Sequence, residues 1–216
     1  MDKNVRLLPT YTHKQEVWNS ISHFLGFLFG VAITIYIFTL KKSFIELFPF
    51  FIYTLAMMVM FFTSGFYHSQ KFMTKSKAIA RIVDHCDIYV FVAATYTPIC
   101  FYAINNDNIA LTLLVLEWIF AIVGVVINVI DLNNKAIKII SYIIYLLTGW
   151  AIVFFYPFNL GISFNVFIYV LMGGISYTIG AILYAIGNKN LWFHTVFHFF
   201  VLVGAILQFV GIYFLL

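Results

Sequence analysis

Residues 193–215 read FHTVFHFFVLVGAILQFVGIYFL, a run with no Lys, Arg, Asp or Glu. Wound as an α-helix it is about 35 Å long, enough to cross the ~30 Å hydrocarbon layer of a bilayer. Its apolar residues are continuous and lack the every-second-residue alternation of a barrel strand, so the fold it belongs to is helical. Its two histidines, His194 and His198, stand one turn apart at one end.

Working outward, six more runs of the same kind precede it. The expected spans are 20–40, 48–68, 82–103, 109–130, 138–156 and 163–186, followed by 193–215, with short polar breaks between them. Such short breaks force neighbouring helices to run antiparallel. The expectation is therefore an all-α, polytopic seven-transmembrane helix bundle, residues 1–216 forming a single membrane domain. Composition agrees. Of the 216 residues, 63% are hydrophobic and 9% charged, against about 45–50% and about 25% in soluble domains. The first run, from Ile21 to Leu40, is too long for a signal-peptide core and reads as a retained span. The break between the fifth and sixth spans is the weakest, since Pro157 and Gly161 would serve a kink as well as a loop.

Basic residues orient the bundle. Lys3, Arg6, Lys14, Lys71, Lys75, Lys77, Arg81, Lys135, Lys138 and Lys189 fall on one side, and only Lys41 and Lys42 on the other. The positive-inside rule places the N-terminus in the cytoplasm and the C-terminus outside. The net charge of +4 follows from these loops. No basic stripe interleaved with aromatics supports nucleic acid as a partner; membrane lipids are the expected surroundings. Cys86 and Cys100, on one expected helix and about 21 Å apart along it, cannot bridge each other.

Ionisable groups are costly inside a bilayer, so those near the spans carry information. His23 opens the first span, His68 closes the second, Asp84, His85 and Asp87 open the third, and His194 and His198 open the seventh. All lie toward the cytoplasmic side. His194 and His198 share one helix face, where both can bind one ion. His68 is placed to supply a third nitrogen, and Asp84 either to bind directly or to hold a water bound to the metal. The nitrogen and oxygen donors suit Zn²⁺ best, although the donor set alone also fits iron, copper or manganese. Three protein ligands and an open position are the pattern of catalytic zinc.

Ser64, one turn before His68, is placed to hydrogen-bond a reacting oxygen, or equally is a small residue that lets helices approach. His13 reads as a wet interfacial residue. Glu117, in the outer half of the fourth span, reads as a protonated carboxyl remote from the histidines. The pattern gives no role to Glu16 or His23. No Lys lies inside a span to carry retinal, and neither His-Glu-x-x-His nor Gly-x-Ser-x-Gly occurs.

Four segments together resemble one family: Glu16-Val-Trp-Asn19-Ser-Ile-Ser-His23, Ser64-Gly-Phe-Tyr-His68, Asp84-His85-Cys-Asp-Ile-Tyr with Thr95-Tyr96-Thr97-Pro98, and His194-Thr-Val-Phe-His198. In this order and at these spans the chain is similar to the bacterial hemolysin III proteins. These form the prokaryotic branch of the progestin and adipoQ receptor superfamily, to which the adiponectin receptors also belong. The resemblance covers nearly the whole chain. It implies a seven-helix bundle with a cytoplasmic N-terminus in a bacterial plasma membrane. It also implies zinc held by His68, His194 and His198, with Asp84 reaching the metal through water. Related receptors are thought to hydrolyse ceramide, one member of the bacterial branch is named for pore-forming lysis, and others are linked to membrane-lipid homeostasis. Glu117 departs from the pattern, standing where an apolar residue is expected.

The residues thus support a zinc-dependent hydrolase of a ceramide-like lipid amide, with Asp84 and Ser64 as catalytic groups. Two rivals remain: a pore-forming cytolytic protein with structural zinc, and a non-enzymatic membrane sensor.

Overall fold

The computed structural model describes residues 3–156, 161–187 and 190–216, and every regular element among them is helical. Pro157 and Lys189, used above in placing a break and in orienting the chain, lie outside the described residues. In chain order the helices are α1 (Lys3–Arg6), α2 (His13–Thr39), α3 (Phe44–Ser69), α4 (Lys75–Tyr102), α5 (Asp107–Asp131), α6 (Lys135–Gly149), α7 (Ala151–Phe155), α8 (Phe164–Ile186) and α9 (Trp192–Tyr213). Five of them, α2, α3, α5, α8 and α9, are long and apolar enough to cross a membrane. Helix α4 is as long, but its first turns carry Lys75, Lys77, Arg81, Asp84 and Asp87.

Local chemistry sets the helix starts. Thr12 and Gln15 form a capping box, with Thr12 N–H donating to Gln15 Oε1 at 2.8 Å and Gln15 N–H to Thr12 Oγ1 at 3.3 Å. Ser43 and Glu46 do the same for α3, and the side chains of Asn106, Asn134 and Ser163 cap α5, α6 and α8. Each cap satisfies backbone N–H groups left unpaired in a helix's first turn.

Two features depart from the hydropathy reading. The helix of the first expected span, α2, begins at His13, well ahead of the apolar run, because its opening turns bury Gln15 and Asn19 rather than face lipid. The fifth expected span, 138–156, is broken at Trp150, whose backbone (φ −100°, ψ 5°) ends α6 and starts α7. The cause is a neighbour's side chain. Tyr96 Oη of α4 donates to Gly149 O at 3.3 Å and accepts from Ile152 N–H at 3.0 Å. A hydroxyl inserted into the backbone ladder is a recognised cause of a kink. Gly161 has φ +70°, a left-handed turn conformation that suits glycine.

Helices α8 and α9 pack closely, as do α2 with α3 and α3 with α4, and α2 also meets α9. The apolar core, around Phe50, Tyr53, Ile99, Val166, Ala205 and Ile212, is contributed by α3, α4, α8 and α9, with Ile37 of α2, Leu113 of α5 and Ile152 of α7. Large apolar residues such as Ile45, Ile130 and Phe164 face outward. An apolar outer surface on this scale marks a lipid-facing bundle.

Candidate metal centre

Antiparallel packing brings the start of α2, the end of α3 and the start of α9 together. His68, His194 and His198 converge there, all buried, with their ligand nitrogens within 4.8 Å of one another. His194 Nε2 lies 3.3 Å from His68 Nε2 and 3.0 Å from His198 Nε2. Tetrahedral ligation at about 2.0–2.1 Å separates ligand nitrogens by about 3.3–3.4 Å, so the spacing is that of a metal triad.

The partners of the other ring nitrogens reinforce this. His68 Nδ1 lies 2.6 Å from Glu16 Oε2, and a carboxylate only accepts, so the proton resides on Nδ1. His68 Nε2 is then a lone pair aimed at the other two histidines. His198 Nδ1 is 2.6 Å from His23 Nε2. With His198 as donor in that bond, its Nε2 is likewise a lone pair. Both short separations meet at His194 Nε2, where a single proton could serve only one of them, whereas a cation among the three nitrogens serves all. The donor set therefore fits a metal ion, and a ligating histidine whose other nitrogen meets a carboxylate is the usual support for one.

Glu16 is itself held. Lys77 Nζ donates to Glu16 Oε1 at 2.7 Å and to the carbonyls of Tyr67 and Gln70 at 3.1 and 3.2 Å. Lys77 is 0% exposed, so the pair is neutral as a unit, the state that burial favours. Asn19 Nδ2 approaches His68 Nδ1 at 3.4 Å, and the Tyr11 ring stacks on His194 at 4.7 Å. Sequence reading gave Glu16, Lys77 and His23 no function. The available signal was the i, i+3, i+7 spacing of Glu16, Asn19 and His23 on one face of α2.

Beside the triad lies a cavity of about 390 Å³, lined by Ser64, Asp84 and His85 as well as His23, His194 and His198. Asp84 lies outside the three-histidine cluster, on the cavity wall that Ser64 also lines. Asp87, three residues on, turns away and accepts from Thr63 Oγ1 at 2.6 Å. Glu117 is buried apart from the cluster, and its Oε2 has no hydrogen-bond partner among the described residues.

Beyond the polar groups the cavity wall is apolar, formed by Met60, Ile88, Phe91, Val92, Phe197 and Val201 among others. It separates α6 from α8, which make little direct contact. Tyr142, Leu146 and Ile182 line it while being 37%, 48% and 57% exposed, so the cavity reaches the outer surface between these two helices.

Membrane-length helices carrying a buried histidine triad beside an apolar cavity define a multi-pass integral membrane protein with a site able to bind a metal ion. The chain belongs to the Haemolysin-III related family, whose model it matches over residues 11–209. It is similar to the Hemolysin-3 homolog of Bacillus subtilis (strain 168), 30% identical over 203 residues that cover 92% of this chain and 93% of that protein. It is similar to the Hemolysin-3 of Bacillus cereus as well, 30% identical over 200 residues, or 91% and 89% of the two chains.

Proposed function

We propose that the protein is a zinc-dependent hydrolase of a lipid amide, or of a related lipid bond, in a bacterial plasma membrane. The bundle crosses the membrane seven times, α4 and the α6–α7 pair joining the five apolar helices, with its N-terminus and metal centre toward the cytoplasm. The observation that carries this reading is that Ser64 and Asp84 line the same cavity as His194 and His198.

His68, His194 and His198 would hold the ion. When bound, zinc supplies Lewis acidity and lowers the pKa of a bound water toward about 7. The remaining chemistry belongs to the chain. Asp84 takes and returns the proton, acting as general base and then as acid toward the leaving amine. Ser64 donates its single hydroxyl proton to the attacked carbonyl oxygen as negative charge builds there. The apolar wall takes the acyl chain, and the opening between α6 and α8 admits it from the bilayer.

Asp84→Ala leaves the three histidines in place, so much of the metal is retained, while hydrolysis falls by about 10²–10⁴-fold. The test is to reconstitute wild type and Asp84→Ala in liposomes and to assay fatty-acid release from ceramide-like amides together with dye leakage. Release by wild type alone supports the hydrolase. Dye leakage by both, with no fatty acid released from a broad lipid panel, replaces it with the pore.

A further inference from the structure

Arg81 has no part in the chemistry above, yet it is 6% exposed and lines the cavity. One guanidinium nitrogen, Nη1, donates to two neutral acceptors, Leu7 O at 3.3 Å and Asn133 Oδ1 at 2.9 Å. A guanidinium has five N–H donors. Among the described residues no carboxylate forms an ion pair with it; Asp84, one turn further along α4, lies within its field but not in contact. Lys138 of α6 lies within its field too, with Asp131 as its own counter-charge. A buried guanidinium bonded only to neutral acceptors keeps donors for an anion, so this end of the cavity suits one.

The cavity also has a polarity axis. The face of α4 that lines it reads Arg81, then Asp84 and His85, then Ile88, then Phe91 and Val92. At 1.5 Å per residue, Arg81 lies about 5 Å from Asp84 and about 15 Å from Phe91 along the helix. A molecule filling the cavity thus meets a cation first, the candidate reaction groups next and hydrocarbon last.

We propose that Arg81 anchors the head group of an anionic lipid, a phosphate-bearing one in the first instance, with its chain along the apolar wall and its linking bond level with Asp84. The inference rests on reading the cavity as a lipid site but not on hydrolysis taking place there. An Arg fork matches phosphate oxygens in a bidentate manner, which a lysine ammonium does not.

The test uses the full chain in a neutral maltoside detergent and displacement of a fluorescent oleoyl probe. The competitors are 1-oleoylglycerol 3-phosphate, 1-oleoylglycerol and inorganic phosphate. Wild type should bind the phosphate lipid about 10- to 100-fold more tightly than the neutral one, the range of charge-assisted hydrogen bonds. Inorganic phosphate should not displace the probe at the same concentrations. Arg81→Gln should abolish the preference and leave 1-oleoylglycerol binding unchanged, and Arg81→Lys should keep only part of it. Equal binding of both lipids by wild type overturns the proposal. So does a ratio that persists in Arg81→Gln, even if both lipids bind more weakly, because that is the mark of a structural role. Displacement by inorganic phosphate alone overturns the lipid assignment. If Arg81→Gln does not fold, Arg81→Lys decides, and an unaltered ratio there is equally fatal. Absence of hydrolysis leaves the binding ratio intact, so the two readings fail separately.

Discussion

Nδ1 of His68 lies 2.6 Å from Oε2 of Glu16, and the other oxygen of that carboxylate lies 2.7 Å from Nζ of Lys77. One carboxylate therefore links a candidate metal ligand to a fully buried ammonium. It sets the tautomer that turns His68 Nε2 toward His194. Glu16→Gln also strands the buried Lys77 and so lowers stability, and in the folded protein it should weaken metal binding about 10- to 100-fold, the usual effect of removing such a support. Competition with a chelator of known affinity measures it, and an unchanged zinc Kd would remove Glu16 from the site.

Lys77 tests the same link from the other side. Lys77→Met strands a mostly buried carboxylate without its cation, a change that costs about 3–5 kcal/mol. Thermal unfolding in detergent should show a large loss in Tm. The double variant Glu16→Gln/Lys77→Met removes both charges and should recover part of that loss. A double variant less stable than Lys77→Met alone would show that the two residues act independently.

The contact between α4 and α5 offers a control away from the metal. A Cβ at Gly124 would fall on the Tyr89 ring. Tyr89 stacks on Tyr145 at 4.2 Å and accepts from Asn128 Nδ2 at 2.8 Å, so it has little room to move. Gly124→Ala should destabilise by about 1–3 kcal/mol through overpacking and leave zinc stoichiometry unaltered. A loss of zinc in this variant would mean that the triad depends on the whole bundle rather than on its own supports.

Much of this architecture was legible in the sequence because hydrocarbon length is a one-dimensional property. Runs such as Phe164–Ile186 and Trp192–Tyr213 need no partner to be recognised. The triad was legible for the same reason, since short breaks between spans align helix ends and His194-x-x-x-His198 marks a face. The rest depends on contacts between distant segments. Tyr96 breaks the helix after Gly149 from across the bundle, and no property of residues 138–156 announces it. The opening turns of α2 are too polar for a hydropathy window and become helical through their cap and their contacts with α3 and α4. Lys77 reads as one more loop cation until Glu16 is seen beside it. Asp84 and Asp87, alike in type and close in sequence, go to the cavity wall and to Thr63 by helix phase alone.

Orientation is a separate expectation. Ten basic residues on one side against Lys41 and Lys42 on the other place the metal centre at the cytoplasmic face. A membrane-impermeant reagent on intact cells should label a tag placed after Leu216 and spare one placed before Met1. The opposite pattern would put the histidines on the external face.

The claim on which the rest depends is that the three histidines hold a metal. The direct measurement is elemental analysis of the purified chain beside His194→Ala/His198→Ala, which leaves His68 as the lone member of the triad. Wild type should carry about one zinc per chain, removable by a strong chelator, and the double variant none. A double variant that is folded and carries the wild-type amount of zinc would contradict that claim.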